Sequence, residues 1–125
     1  KNLKIKKKDK GIIFSPPGYA MAISQILLFM SKKSSIFLQP TGMRFPFEIL
    51  KAILKYKISV LNISVSAYNV FKKIIKNKKI PHVRLVMSGG MEMRFKTYNE
   101  YKINFPKARF INFYGCTENS PRVAH

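Results

Sequence analysis

The chain has 125 residues, of which 46% are hydrophobic, and 24 basic against 5 acidic residues give a formal net charge of +19. That length suits one small unit with a modest core, and the hydrophobic share excludes a disordered tail. Cys116 is the single cysteine, which excludes an internal disulfide and leaves nothing that points to an oxidising compartment.

The basic charge is mostly lysine and is spread along the chain, with one cluster from Lys1 to Lys10. Base reading and bidentate phosphate clamps favour arginine, and here the arginines are only Arg44, Arg84, Arg94, Arg109 and Arg122. We therefore read a solvated lysine surface in preference to a nucleic-acid site. The N-terminus, Lys1-Asn2-Leu3, has no initiator Met, so a piece of something longer is expected, with 1–10 as a basic flank and 11–125 as the folded part. The longest apolar stretch, Tyr19 to Met30, holds Ser24 and Gln25 and is too short for a membrane span.

Short apolar runs alternate with helical patterns. Gly11 to Phe14 predicts a strand ended by Ser15-Pro16-Pro17, and Tyr19 to Ser31 a mostly buried helix. Ser35 to Leu38 predicts a second strand. A helix opening at Pro46 would carry Phe47, Leu50, Ile53 and Leu54 on its apolar stripe. Val60 to Ile63 is a third strand. Ser66 is placed to cap a helix whose stripe is Ala67, Val70, Phe71, Ile74 and Ile75. Val83 to Met87 is a fourth strand with Ser88-Gly89-Gly90 as its exit. Phe95, Tyr98, Lys102 and Phe105 then share a helical face, with Tyr101 close by, and Phe110 to Phe113 is a fifth strand running into Tyr114-Gly115-Cys116-Thr117-Glu118-Asn119. This β-α alternation predicts an α/β fold with a mainly parallel sheet covered by helices.

Ligands of such sheets bind beyond the C-terminal strand ends. Three segments fall there: Ser15 to Tyr19, Ser88 to Gly90, and Tyr114 to Glu118. The glycine pair by itself reads as a turn, and neither a P-loop nor a GxGxxG pattern is present. In the last segment Tyr114 offers a ring for stacking, Gly115 a close turn, Thr117 a hydroxyl for a phosphate oxygen, and Glu118 a carboxylate for Mg²⁺. A core ring and a helix-start carboxylate explain the same residues equally well. His82 and His125 read as exposed or structural, Cys116 as a packed thiol, and Glu92 and Glu100 as surface dressing of the fourth helix.

Phe110 to Phe113 followed by Tyr114-Gly115-Cys116-Thr117-Glu118 resembles the N-x-YG-x-TE motif of adenylate-forming enzymes, the superfamily of acyl-CoA synthetases, luciferases and peptide-synthetase adenylation domains. Val83 to Gly90 resembles that family's LR-x-x-x-x-GG strand and turn, and the resemblance runs from about Gly11 to His125. It implies part of a larger adenylate-forming domain. Gly89 and Gly90 would lie along the adenine and the acyl pocket, with Tyr114 flanking the adenine. Gly115 would shape the nucleotide turn, Thr117 would contact the α-phosphate, and Glu118 would help bind Mg²⁺. Tyr19 would shape the acyl pocket. Ser66 stands where the family usually has Pro, and Met91-Glu92-Met93 departs from its Glu-Pro-Leu.

The implied reaction activates a small carboxylic acid with ATP and Mg²⁺. The acyl group then passes to coenzyme A or to the phosphopantetheine of an acyl or peptidyl carrier protein, in the cytoplasm. The family's phosphate loop is expected before this segment, and its ribose-binding Asp, hinge and catalytic Lys after His125, so the segment alone is expected to be inactive. The alternatives are a basic nucleic-acid or anionic-surface module, which would explain the charge but not the two motifs, and a nonfunctional ligase remnant.

Overall fold

The computed structural model describes residues 3–16, 18–39, 41–116 and 120–124, with side chains as far as 113. The elements are β1 (Lys10–Ile13), α1 (Ala20–Ser31), β2 (Ser35–Leu38), α2 (Pro46–Tyr56), β3 (Val60–Asn62), α3 (Val65–Ile75), β4 (Leu85–Gly89), α4 (Phe95–Asn104), β5 (Arg109–Cys116) and β6 (Ser120–Ala124). They form one sheet in the order β2-β1-β3-β4-β5-β6. The first five strands are parallel, and β6 adds an antiparallel edge that the sequence reading did not anticipate. The α/β class and the parallel sheet are as expected.

Alternating residues along each strand serve two cores. Leu61 and Val86 face α2, α3 and α4, where Ile49, Ile53, Phe71 and Ile75 bury against them. Val60, Leu85, Met87, Ile111 and Phe113 face α1 and its Phe29. The Phe29 ring lies directly on Gly11, where a Cβ would come within 2.4 Å of it. A side chain at Gly11 would force the Phe29 ring out of its place on the sheet.

Several helices sit in a different rotation from the one their apolar residues suggest. Helix α1 buries only Ala22, Gln25 and Phe29, while Tyr19, Ile23, Leu27 and Met30 are exposed. A helix laid on a sheet covers one stripe, and no described element covers the other. In α2 the buried residues are Ile49 and Ile53, with Phe47 exposed. In α3 they are Val65, Tyr68, Phe71 and Ile75, and Val70 is exposed. The cap of α3 is Ser64, whose Oγ accepts from the Ala67 N–H at 3.2 Å; Ser66 lies inside the first turn, 3.1 Å from the Ser64 hydroxyl.

The rotation of α3 follows from Tyr68, which stacks on Tyr101 of α4 with ring centroids 3.7 Å apart. Its phenol donates to Asn104 Oδ1 at 2.6 Å, and Tyr101 donates to the Ile63 carbonyl at 3.3 Å. Burial pushes both phenols above their usual range, so both remain protonated donors. The buried Asn104 amide then donates to the Lys76 and Lys78 carbonyls at 2.7 and 3.0 Å, satisfying acceptors beyond the end of α3. Phe95, expected on the apolar face of α4, is instead exposed, whereas Tyr101 and Phe105 are fully buried. His82 is structural as expected, its Nε2 lying 3.1 Å from the Ile53 carbonyl.

The N-terminal edge of the sheet is fastened by Asp9, which is 1% exposed. Its carboxylate accepts from Arg84 Nε at 2.7 Å and from a second Arg84 nitrogen, from the Ser59 hydroxyl at 2.9 Å and from the Lys6 N–H at 2.7 Å. Burial alone would raise its pKa, but these hydrogen bonds, led by Arg84, together hold it below the usual carboxylate range. Its stabilising contribution is therefore complete above the unfolded value of about 4 and is lost as pH falls through the lowered folded value. Asp9→Asn is expected to lower the unfolding free energy by about 3 kcal/mol at pH 7. In urea melts between pH 2 and 7 it should also flatten the acid limb that the unsubstituted chain shows. Equal pH dependence in both would exclude the carboxylate as its source.

Helix α2 ends at Lys57 in the left-handed region, with φ 55° and ψ 51°. A side chain there costs about 1 kcal/mol. Lys57→Gly should raise the thermal midpoint, by a gain of about 0.5–1 kcal/mol in stability.

Candidate functional site

Strand β1 lies between β2 and β3, so the direction of sheet growth reverses there. Successive connections leave such a point on opposite faces, and a crevice opens outside the C-terminal strand ends. A cleft of about 490 Å³ occupies this place. Phe14, Ser15 and Pro16 leave β1, Tyr19 and Met21 open α1, Thr41, Gly42 and Met43 follow β2, and Asn62, Ser64 and Ala67 bound it from β3 and α3. No charged side chain lines it among the described residues.

Tyr19, singled out in the sequence, is 65% exposed and stands on the wall of this cleft. Gly89 ends β4 and pairs in register with Phe113. A Cβ on Gly89 would stand 3.3 Å from the Phe113 carbonyl oxygen and 3.5 Å from Met21 Cε, so Met21 joins the end of β4 to the cleft. Gly90 follows at φ +83°, with nothing within 4 Å of where a side chain would start. That combination keeps open backbone at the strand end, which an L-residue would resist and a flat ligand could approach.

Tyr114, Gly115 and Cys116 continue β5 beyond the Gly89 pairing, and β6 folds back on them with a register irregularity between Tyr114 and Cys116. Thr117, Glu118, Asn119 and His125 lie outside the described residues, as do the side chains of Tyr114 and Cys116. Backbone pairing thus brings the glycine turn and the Tyr114-Gly115 segment to the same end of adjacent strands. Glu100, by contrast, pairs with Lys72 at 2.8 Å on the helical face.

Sequence reading missed Met21, Thr41 to Met43, Asn62 and Ala67 as parts of the cleft wall. Asn62 is the residue whose type carried a signal: a carboxamide between Leu61 and Ile63 at the end of an apolar run. The lysines gather elsewhere. Exposed Lys32, Lys33, Lys57, Lys76, Lys78 and Lys79 sit in the turns that lead from helices into strands, at the opposite end of the sheet.

Among the described residues no helix is long and apolar enough to cross a membrane, and no group of three His, Cys, Asp or Glu gathers to hold a metal ion. No curated protein sequence matches the chain. Solved structures share its fold. The N-terminal domain of FACL13 from Mycobacterium tuberculosis superposes with a TM-score of 0.82 at 13% identity, over 93% of this chain and 29% of that one. The o-succinylbenzoate coenzyme A synthetase MenE from Bacillus subtilis, solved with ATP and a magnesium ion, gives 0.81 at 15% identity, over 98% and 25%. The NpsA N-terminal subdomain from Klebsiella oxytoca, in complex with 3-hydroxyanthranilyl-AMSN, gives 0.79 at 16% identity, over 94% and 30%. The chain therefore spans under a third of the length of the structures it matches. The AMP-binding enzyme family model matches residues 1–125, and with that match across the whole sequence the chain belongs to the family of AMP-binding, adenylate-forming enzymes.

Proposed function

We propose that the polypeptide carrying this segment activates a small carboxylic acid with MgATP, giving an acyl-adenylate and pyrophosphate, in the cytoplasm. The acyl group would then pass to a thiol, either coenzyme A or the phosphopantetheine of an acyl or peptidyl carrier protein. A carboxylate is a poor acylating agent until it carries a good leaving group, and the adenylate supplies one. The observation that carries this reading is the β4–β5 register, which sets the Gly89-Gly90 turn beside Tyr114-Gly115 next to the switch-point cleft. The open backbone at Gly90 fits a planar base and ribose better than a packed turn would.

In this reading Gly89 and Gly90 lie along the adenine and the acyl pocket, Tyr114 flanks the adenine, and Gly115 lets the backbone turn close to the nucleotide. Thr117 donates to the α-phosphate. Glu118 would hold Mg²⁺, which when bound would offset charge on the phosphate oxygens. Tyr19 closes the acid's end of the cleft. The phosphate loop and the catalytic Lys would come from polypeptide outside these 125 residues.

Pyrophosphate exchange into ATP, run on the native gene product across a panel of carboxylic acids, tests this reading. Exchange should depend on one class of acid. Glu118→Gln should lower it about 10²-fold with an unchanged melting curve. Gly90→Val should weaken ATP binding, because its φ of +83° suits glycine and its open side faces the proposed nucleotide. Absence of exchange with every acid would sink the proposal.

A further inference from the structure

We propose that the lysine-bearing end of the sheet, opposite the cleft, docks on the phosphate backbone of a nucleic-acid duplex without reading its sequence. This role is independent of adenylation. At this end lysine occupies strained backbone. The described residues other than glycine with positive φ are Lys4, Lys33, Lys57 and Lys76, at 48°, 52°, 55° and 48°. L side chains resist that conformation and glycine adopts it freely. Lysine is under a sixth of the chain, so composition alone does not place it at all four. Lys33, Lys57 and Lys76 lie just beyond the ends of α1, α2 and α3. The Lys4 carbonyl accepts from Arg84 at 2.9 Å, beside the entry to β4. A helix dipole favours a cation near each helix end, but a lysine one residue to either side would gain as much without the strain. Strain of this kind persists where the side chain has a use.

The fold gathers what the sequence spreads out. Each connection into the parallel strands brings an exposed lysine to this end. In sheet order they are Lys33 before β2, Lys8 before β1, Lys57 before β3, Lys79 before β4 and Lys107 before β5. Four strand spacings make that row about 19 Å long, which matches about five or six phosphates along one strand of a duplex. Lys32, Lys76 and Lys78 thicken the row. Asp9, the carboxylate described at this end, is buried and bonded to Arg84, and among the described residues none of these lysines holds an ion pair. Four helix C-termini supply only about half a negative charge each, far less than the lysines carry. Lysine meets phosphate as a point charge, whereas base edges favour the arginine fork, so no sequence preference follows. Single strands bind by stacking on rings, but Phe95, Phe47 and Tyr19 are exposed at the opposite end of the sheet. Tyr56, next to Lys57, is already stacked on Phe37 with centroids 4.1 Å apart. Met30 and Ile103 are exposed on opposite faces of the sheet, which gives a lipid surface no continuous apolar patch to bury.

The test titrates the native gene product into a fluorescent DNA duplex of about 20 base pairs, between about 50 and 200 mM salt. Anisotropy should show the affinity falling about 10²- to 10³-fold over that range, as release of about five counterions requires. Lys33→Gly, Lys57→Gly and Lys76→Gly combined should cut the fall to about 10-fold. The same variant should have a raised thermal midpoint, because each glycine relieves a positive φ, so its weaker binding is not misfolding. Arg44→Gln, Lys51→Gln and Lys96→Gln remove equal charge from exposed positions away from this end and should leave the salt dependence nearly unchanged. Equal loss in the two variants overturns the placement, and a lowered midpoint in the glycine variant overturns the argument from strain. Tighter binding to the single strand, or to vesicles of phosphatidylserine and phosphatidylcholine, overturns the choice of partner. Preference of more than about tenfold among duplex sequences overturns contact through the backbone alone. No binding at the lowest salt removes the proposal altogether.

Discussion

The reversal of sheet growth at β1 is the constraint from which the remaining geometry follows. A parallel strand pair needs a crossover, and crossovers of one hand land on opposite faces when the chain turns from one neighbour to the other. Helix α1 therefore lies on one face and α2, α3 and α4 on the other. The loops leaving β1 and β3 part company, and the space between them becomes the cleft. Little of this depends on which particular apolar residues fill the cores. It depends on the strand order and on the lengths of the connections.

The two ends of the sheet do different work. At the N-terminal edge, backbone bonds run from strand to strand, with Ser59 N–H donating to Lys10, Arg84 to Ser59 and Arg109 to Arg84. Asp9 fastens the same edge through its side chain. This end also carries the helix C-termini, whose partial negative charge suits the lysines found there. At the other end the cleft wall is uncharged and the glycine turn is open. The excess of positive charge thus has a structural account on the far side of the sheet from the site.

Much of the architecture was legible in the sequence, because short β-branched runs bounded by Gly, Pro and Ser alternate with longer amphipathic ones. The rotation of each helix was less legible. Val70 and Phe47 are as apolar as the residues that bury in their place, and only tertiary contacts such as the Tyr68–Tyr101 stack decide which stripe faces inward. Strand β6 escaped notice because Pro121 argues against a strand and because the segment had been read as the tail of a motif. Asp9 escaped because it sits among lysines, with its partner far along the chain. The glycine turn and Tyr114-Gly115 were read as lying at C-terminal strand ends, and the pairing of β4 with β5 sets those two ends side by side. Asn62 was passed over as an ordinary strand residue, since period and propensity do not tell which strand end opens on a cleft.

Asp9 and Arg84 are 75 residues apart in sequence, which gives the fold an order in time. Strands β1 and β2 are close enough along the chain to pair soon after both exist. The Asp9 carboxylate, which ties the start of β1 to Ser59 before β3 and Arg84 before β4, has no cationic partner until Arg84 follows. At synthesis rates of about 5–20 residues per second, that wait is roughly 4–15 s. During it the N-terminal half presents an incomplete sheet edge and an ionised side chain that resists burial. Arg84 then brings the cation that lets this carboxylate stay ionised while buried, and ties the entry of β4 to the entry of β1.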